Sequence, residues 1–123
     1  MAIRDKIRDK AAPQLRPGEQ IQAVIGAQTA SQWWVALAYF VFFAINEYRC
    51  IVVTDQRIVT FNSGRFASAN PKEIVTEAPR ATRIGPPTGI LWYVTEATGE
   101  KLHIHKRFHK DIEQADAQAP RAA

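Results

Sequence analysis

Three histidines near the C-terminus are the side chains whose type and spacing could do chemistry. His103 and His105 alternate along a predicted strand and therefore project from one face, and His109 follows at the start of a predicted helix. Three neutral imidazoles can bind zinc and leave one coordination position open. Several lysines and arginines lie in the same stretch, and their positive charge opposes a divalent cation. The sequence therefore favours a solvated basic face, without metal, over a zinc site.

The same basic stretch is suited to anions. Lys106, Arg107 and Lys110, together with Arg80 and Arg83 on a neighbouring predicted strand, could attract the anionic headgroups of lipids. Each nearby cation contributes about 1 kcal/mol to such binding. An equally good alternative is that these cations are ordinary surface charges that form no binding site.

Arrangements typical of a catalytic nucleophile do not occur in the sequence. Cys50, the single cysteine, lies in an apolar run without an obvious histidine partner, and we interpret it as a small buried hydrophobe. The sequence has no Gly-x-Ser-x-Gly motif, no glycine-rich loop of the phosphate-binding type and no pair of carboxylates at a recognisable spacing. We therefore expect a protein that is not an enzyme and that needs no cofactor.

Length and charge exclude several other classes. With 123 residues, the chain has the size of one domain with one modest core. The net charge is only +4, and the aromatic residues lie in a block instead of between cations, so we expect no nucleic acid as a partner. The N-terminus is charged and lacks the apolar core of a secretory signal, which predicts a cytoplasmic protein.

Hydrophobic periodicity predicts a mainly β chain with one helix at each end. An apolar stripe within residues 1–14 indicates a short amphipathic helix, and Phe108, Ile112 and Ala115 mark one face of a C-terminal helix. Alternation and turn signals predict seven strands between them, at Gln20–Gln28, Tyr48–Thr54, Arg57–Phe61, Glu73–Glu77, Thr82–Ile84, Ile90–Ala97 and Glu100–Lys106. Strands at this spacing, followed by a helix, predict a barrel whose open end the helix covers.

The connection between the first two predicted strands contains thirteen consecutive apolar or aromatic residues, Trp33–Ile45. As a helix the run would be ~20 Å long at 1.5 Å per residue, shorter than the ~30 Å hydrocarbon core of a bilayer. A helix that is apolar on every face needs a cover outside a domain of this size, namely membrane lipid, a protein partner or a second copy. The remaining alternative is that half of the run belongs to the strand core and the rest is an ordinary loop. The residues expected to make the outside contact are Trp33, Trp34, Leu37, Tyr39, Phe40, Phe42, Phe43 and Ile45.

The chain resembles the bacterial PH-like domains, relatives of the pleckstrin-homology fold, in four segments: Leu15–Ile21, Tyr48–Ile58, Arg80–Ile84 and Gly99–Phe108. The resemblance covers the chain from Leu15 to Asp116, and Val-Thr-Asp-x-Arg-Ile in the second segment is its most specific part. It implies a barrel of seven strands followed by a C-terminal helix. Because members of this family often have no assigned activity, it implies the fold much more than a function.

One departure from the phosphoinositide-binding PH domains concerns the loop between the first two strands. In those domains this loop carries a basic cluster that binds phosphates. In this chain no residue between Glu19 and Glu47 is charged. We therefore do not expect specific recognition of an inositol phosphate at that loop.

Together these observations predict a PH-like seven-stranded barrel closed by a C-terminal α-helix, with a short N-terminal helix and an apolar insert between the first two strands. The expected boundaries are 1–14 for the N-terminal helix, 15–117 for the PH-like domain with its insert at 30–46, and 118–123 for a frayed tail. The predicted function is a non-enzymatic binding module, peripheral to or shallowly inserted in the cytoplasmic face of the membrane through the insert and the basic residues. The alternative is a structural or interaction subunit that uses the insert as a homo-oligomer or partner-protein interface.

Overall fold

The computed structural model of the chain describes residues 3–30, 46–64, 71–88 and 92–119. A short N-terminal helix, α1 (Ile3–Ala11), comes first and a C-terminal helix, α2 (His109–Ala117), comes last. The strands between them are β1 (Ile21–Gln28), β2 (Tyr48–Thr54), β3 (Arg57–Gly64), β4 (Glu73–Pro79), β5 (Trp92–Thr95) and β6 (Leu102–His105). They form one antiparallel sheet in the order β4-β3-β2-β1-β6-β5, curled into a half-barrel. The predicted mainly β class with a helix at each end is confirmed.

The part of the chain that the structure describes contains six strands, one fewer than the sequence predicts. Residues 82–84, where the sequence predicts a short strand, lie outside the sheet. The backbone N–H groups of Ile84 and Gly85 instead donate to the carboxylate of Asp116 on α2, each at 2.8 Å. The carbonyl of Ile84 accepts hydrogen bonds from the hydroxyls of Tyr93 and Thr95. The backbone groups that strand pairing would use are therefore hydrogen-bonded to side chains of α2 and β5.

Both predicted hairpins form. Asp55 and Gln56 connect β2 to β3, as predicted. The last hairpin pairs Trp92 with His105, and next to the turn its strands stop earlier than predicted, at Thr95 and Leu102; Ile90 and Leu91 lie outside the described residues. Its turn contains Gly99 at φ +95°, a backbone conformation that favours glycine because a Cβ atom would be strained there.

One face of the sheet is covered by the C-terminal segment. Phe108, Ile112 and Ala115 are almost completely buried and pack in one cluster with strand residues such as Ile25 and Ile51. Their spacing along the helix places them on this single face, so the predicted apolar face of α2 is confirmed. Burying one such side chain stabilises the fold by about 1.5–3 kcal/mol.

The opposite face is covered by α1. Ile7 and Ala11 of this helix are fully buried against a second cluster that includes Phe61. Cys50 belongs to the same cluster, and its Sγ lies 2.8 Å from the hydroxyl of Ser63. The central strands are therefore covered on both faces, which explains their nearly continuous apolar sequence. The prediction that Cys50 is buried is confirmed.

A buried ion pair connects the segment before β1 to the β2–β3 hairpin. Arg57 donates from Nε and Nη2 to the two carboxylate oxygens of Glu19, at 2.9 and 3.1 Å. The hydroxyl of Thr54 and the backbone N–H of Arg16 donate to the same carboxylate, at 2.6 and 3.0 Å. Burial alone would raise the pKa of Glu19, but these hydrogen bonds and the charge of Arg57 outweigh it and lower the pKa to about 2. Two of the segments that carry the PH-like resemblance are thus joined by side-chain contacts.

Candidate functional site

The two ends of the apolar insert are held together at one end of the sheet. Beyond the last β1–β2 pair, the N–H of Thr29 donates to the carbonyl of Glu47 at 2.9 Å. The N–H of Glu47 donates in return to the hydroxyl of Thr29 at 3.0 Å. The N–H of Ala30 donates to the side-chain oxygen of Asn46 at 3.1 Å, and both residues are buried. We call these four residues the neck.

The neck makes residues 31–45 a connection between two strand ends that are already paired. The predicted contact residues all belong to this connection and lie outside the described residues: Trp33, Trp34, Leu37, Tyr39, Phe40, Phe42, Phe43 and Ile45. Their contact with lipid or protein stays a prediction.

A buried arginine at the start of β2 links the neck to two other elements. Arg49 donates to Glu47 of the neck at 2.9 Å, to Glu100 in the β5–β6 turn at 3.0 Å and to Asn62 of β3 at 3.1 Å. Burial alone would lower the pKa of Arg49, but the hydrogen bonds and charges of Glu100 and Glu47 outweigh it and raise the pKa. Sequence reasoning did not select Arg49. The available signal was its position as the one charged residue in an otherwise apolar strand sequence.

A small cleft of about 30 Å³ opens on the sheet next to the neck. Its walls come from four strands and from the turn before α2: Gly26, Ala27, Gln28, Tyr48, Trp92, His105, Arg107 and Phe108. Gln28 and Tyr48 are the strand ends that directly adjoin the neck. A space of this size holds about two water-sized groups, so it suits one small polar group and is too small for a whole metabolite.

One of the five cations predicted to bind anions lines this cleft, and two more follow its wall residues in the sequence. Arg107 forms part of the wall, and Lys106, directly before it, and Lys110, in the first turn of α2, are exposed. Within the described ranges, none of the three forms an ion pair with a carboxylate. The guanidinium group of Arg107 lies over the ring of Phe108, 5.4 Å from its centroid. These positive charges are therefore available to an anion from outside the domain.

The other two predicted cations lie at the opposite end of α2. Arg83 donates to the carbonyl of Asp116 at 2.7 Å. Arg80 is buried, donating to Gln22 at 2.9 Å and to the carbonyl of Ala115 at 2.9 Å. Burial lowers the pKa of Arg80, and the charge of Asp116 offsets only part of this effect. The five residues thus lie in two groups, at opposite ends of α2. Arg80 connects β1 to α2 through its hydrogen bonds.

The three histidines do not converge. Nδ1 of His105 accepts the backbone N–H of Arg107 at 3.1 Å, and its ring meets Trp92 edge-on at 5.1 Å. The ring of His109 meets that of Tyr93 edge-on, 6.4 Å between centroids. Among the residues that the structure describes, no three His, Cys, Asp or Glu side chains are grouped as metal ligands.

Comparisons with protein-family models, with curated proteins and with solved structures find no match for this chain. No helix within residues 3–30, 46–64, 71–88 and 92–119 has the length and apolar character needed to cross a membrane.

Proposed function

We propose that this protein is a non-enzymatic binding module of PH-like type that attaches peripherally to the cytoplasmic face of a membrane. One observation carries the proposal: Arg107 lines a cleft beside the neck, with Lys106 and Lys110 close to it in the chain, and within the described ranges none of the three forms an ion pair. The two strand ends that flank the insert are therefore at the end of the sheet where Arg107 lines the cleft. An apolar anchor and a basic patch are the two signals that together give stable membrane binding, since either alone binds weakly.

The sheet supports the PH-like part of the proposal. Four consecutive strands pair with their neighbours in sequence, and the last hairpin joins the sheet beside β1. The C-terminal helix then packs on β1 through Ile112 and Ala115. The six strands of the described residues and the helix packed on β1 are compatible with such a fold, and the seventh strand and the closed barrel are part of the proposal.

The alternative function is a structural or interaction subunit whose insert contacts a partner protein or a second copy. The apolar character of the run supports it as well, because a helix that is apolar on every face needs a cover, which a partner protein or a second copy can supply. In this case the protein would be multimeric or bound to a partner without lipid.

The first test is sedimentation with vesicles of phosphatidylcholine, with and without phosphatidylglycerol. The double variant Lys106→Gln/Lys110→Gln should bind the anionic vesicles about 30-fold more weakly, because each cation contributes about 1 kcal/mol. The matched control is Arg16→Gln/Arg83→Gln, which removes two exposed cations away from the cleft, before β1 and at the opposite end of α2, and should change binding less than threefold. Equal losses in the two variants would contradict a localised basic site.

The second test replaces residues 31–45 with a short Gly/Ser linker. Because the neck already holds Ala30 and Asn46 together, the linker should close without disturbing the sheet. The variant should fold, remain monomeric and lose vesicle binding. If the full-length protein does not sediment with vesicles but forms a multimer that the linker variant cannot form, the membrane proposal is wrong and the interaction subunit is correct.

A further inference from the structure

His105 lines the cleft, and its protonation state is coupled to a hydrogen bond with the backbone. Its Nδ1 accepts the N–H of Arg107 at 3.1 Å, so a neutral His105 carries its proton on Nε2. The ring lines the cleft and rests edge-on against Trp92. A second proton can be added only at Nδ1, and it would displace the hydrogen bond from Arg107.

The groups that face His105 oppose this second proton. Arg107 and Lys106 come from the turn, and His109 comes from α2. The facing residues of the strands include no carboxylate and no cation: Gly26 and Gln28 of β1, Tyr48 of β2 and Trp92 of β5. Burial first, and then the charges of Arg107, Lys106 and His109, lower the pKa of His105, and no carboxylate offsets them. His105 therefore binds a second proton less readily than a free imidazole does.

We propose that the cleft takes up the phosphodiester of an anionic lipid headgroup together with one proton, which His105 binds at Nδ1. This inference rests on the proposed membrane function and adds to it a binding group and a dependence on pH. Free phosphate has the same chemistry, but the cleft adjoins the neck of the apolar insert, and this position favours a headgroup whose acyl chains lie nearby.

The size and the donors of the cleft fit the two unesterified oxygens of one phosphodiester, and not the whole group. A volume of about 30 Å³ accommodates two oxygen-sized groups. The guanidinium group of Arg107 makes no hydrogen bond to the described part of the chain, so its N–H groups are available to a phosphate. Nε2–H of His105 is a second donor, and the backbone N–H of Arg107 becomes a third once Nδ1 is protonated.

The thermodynamic linkage between lipid binding and proton binding at His105 fixes the direction of the pH dependence. A negative charge beside His105 favours its charged form, so the bound state holds the proton more tightly than the unbound state. Lipid binding must therefore strengthen as the pH falls through the range in which His105 titrates. Each pKa unit of difference between the bound and unbound states corresponds to a tenfold change in affinity.

The test measures binding to phosphatidylglycerol vesicles at pH 7.5 and pH 5.5, where the charge of this lipid is constant. The wild-type protein should bind several-fold more tightly at pH 5.5. His105→Asn should lose most of this gain, because asparagine can still accept the N–H of Arg107 but does not titrate. His103→Asn is the matched control: His103 lies two residues earlier on the same strand, outside the cleft, and the variant should keep the gain.

A second readout is the NMR titration of the histidine rings with a short-chain phosphatidylglycerol and with diethyl phosphate. The short-chain lipid should raise the pKa of His105 clearly more than that of His103, and diethyl phosphate should raise it less. An equal effect of diethyl phosphate would overturn the assignment to a lipid. An unchanged pH gain in His105→Asn would overturn the coupling while leaving the membrane function intact. Absence of vesicle binding by the wild-type protein at both pH values would overturn both.

Discussion

The buried ion pair between Glu19 and Arg57 allows a quantitative prediction for Glu19→Gln. The substitution keeps the size of the side chain but removes the charge that Arg57 faces inside the protein. The side chain of Glu19 has no exposed surface and that of Arg57 is 9% exposed, so water cannot replace the lost partner. Removing one member of a buried pair costs about 3–5 kcal/mol. Arg57 keeps a second carboxylate, Glu77, and we therefore expect a loss of about 3 kcal/mol, the lower end of this range.

The lowered pKa of Glu19 gives a second value for the free energy that this contact contributes to stability. The pKa of Glu19 is about 2 in the folded protein, against about 4.3 in an unfolded chain. The difference is worth about 3 kcal/mol of stability at neutral pH. Because the folded pKa is the lower one, this contribution is complete above the unfolded pKa and is lost as the pH falls through the folded pKa. About half of it should remain at pH 3.

Urea denaturation of the wild type and of Glu19→Gln at pH 7, 5 and 3 measures both effects. The difference in unfolding free energy should be about 3 kcal/mol at pH 7 and 5 and about half of that at pH 3. Glu77→Gln is the control, because the Glu77 side chain is 47% exposed, and its loss should cost about 1 kcal/mol or less. A loss below 1 kcal/mol in Glu19→Gln at pH 7, or a difference that stays constant down to pH 3, would refute the reasoning.

Substitutions at two further positions test the packing of α2 by urea denaturation. Gly85→Ala should lower the free energy of unfolding by about 1–3 kcal/mol, because a Cβ atom would lie 2.7 Å from Pro87 and 2.9 Å from Ile112 of α2. An unchanged urea midpoint would mean that Gly85 and Ile112 approach each other less closely than described. Phe108→Ala should cost about 3–5 kcal/mol and Phe108→Leu less, since Phe108 is 1% exposed in the main cluster. If both Phe108 variants unfold at the wild-type midpoint, α2 is not packed on the sheet.

Local periodicity was sufficient to predict most elements. The apolar runs of β1, β2 and β3, the Asp55-Gln56 connection and the spacing of Phe108, Ile112 and Ala115 each depend on neighbours in the sequence. Such patterns record which face of a strand or helix is buried. The turn at Gly99 was equally predictable, because few residues other than glycine adopt its backbone conformation.

Contacts between distant residues were not predictable from the same patterns. The sequence contains Glu19 and Arg57, but 38 positions separate them, and only the approach of the β2–β3 hairpin to the start of β1 makes them a pair. The segment 82–84 has a strand-like sequence, yet Asp116 and Tyr93 hydrogen-bond to its backbone. A strand forms only where a neighbouring strand is the available partner, and tertiary packing decides which partner is available.

The candidate site divides in the same way. Composition by itself identified an apolar insert and a set of five cations. Only the tertiary structure decided that Arg80 is buried against Gln22 and Ala115, whereas Arg107 faces a cleft beside the neck. The physical reason is that the sequence gives only the type of a charged side chain. Its exposure, its partners and its distance from the insert are fixed by the packing of α2 on the sheet, which brings residues far apart in the chain to one end of the molecule.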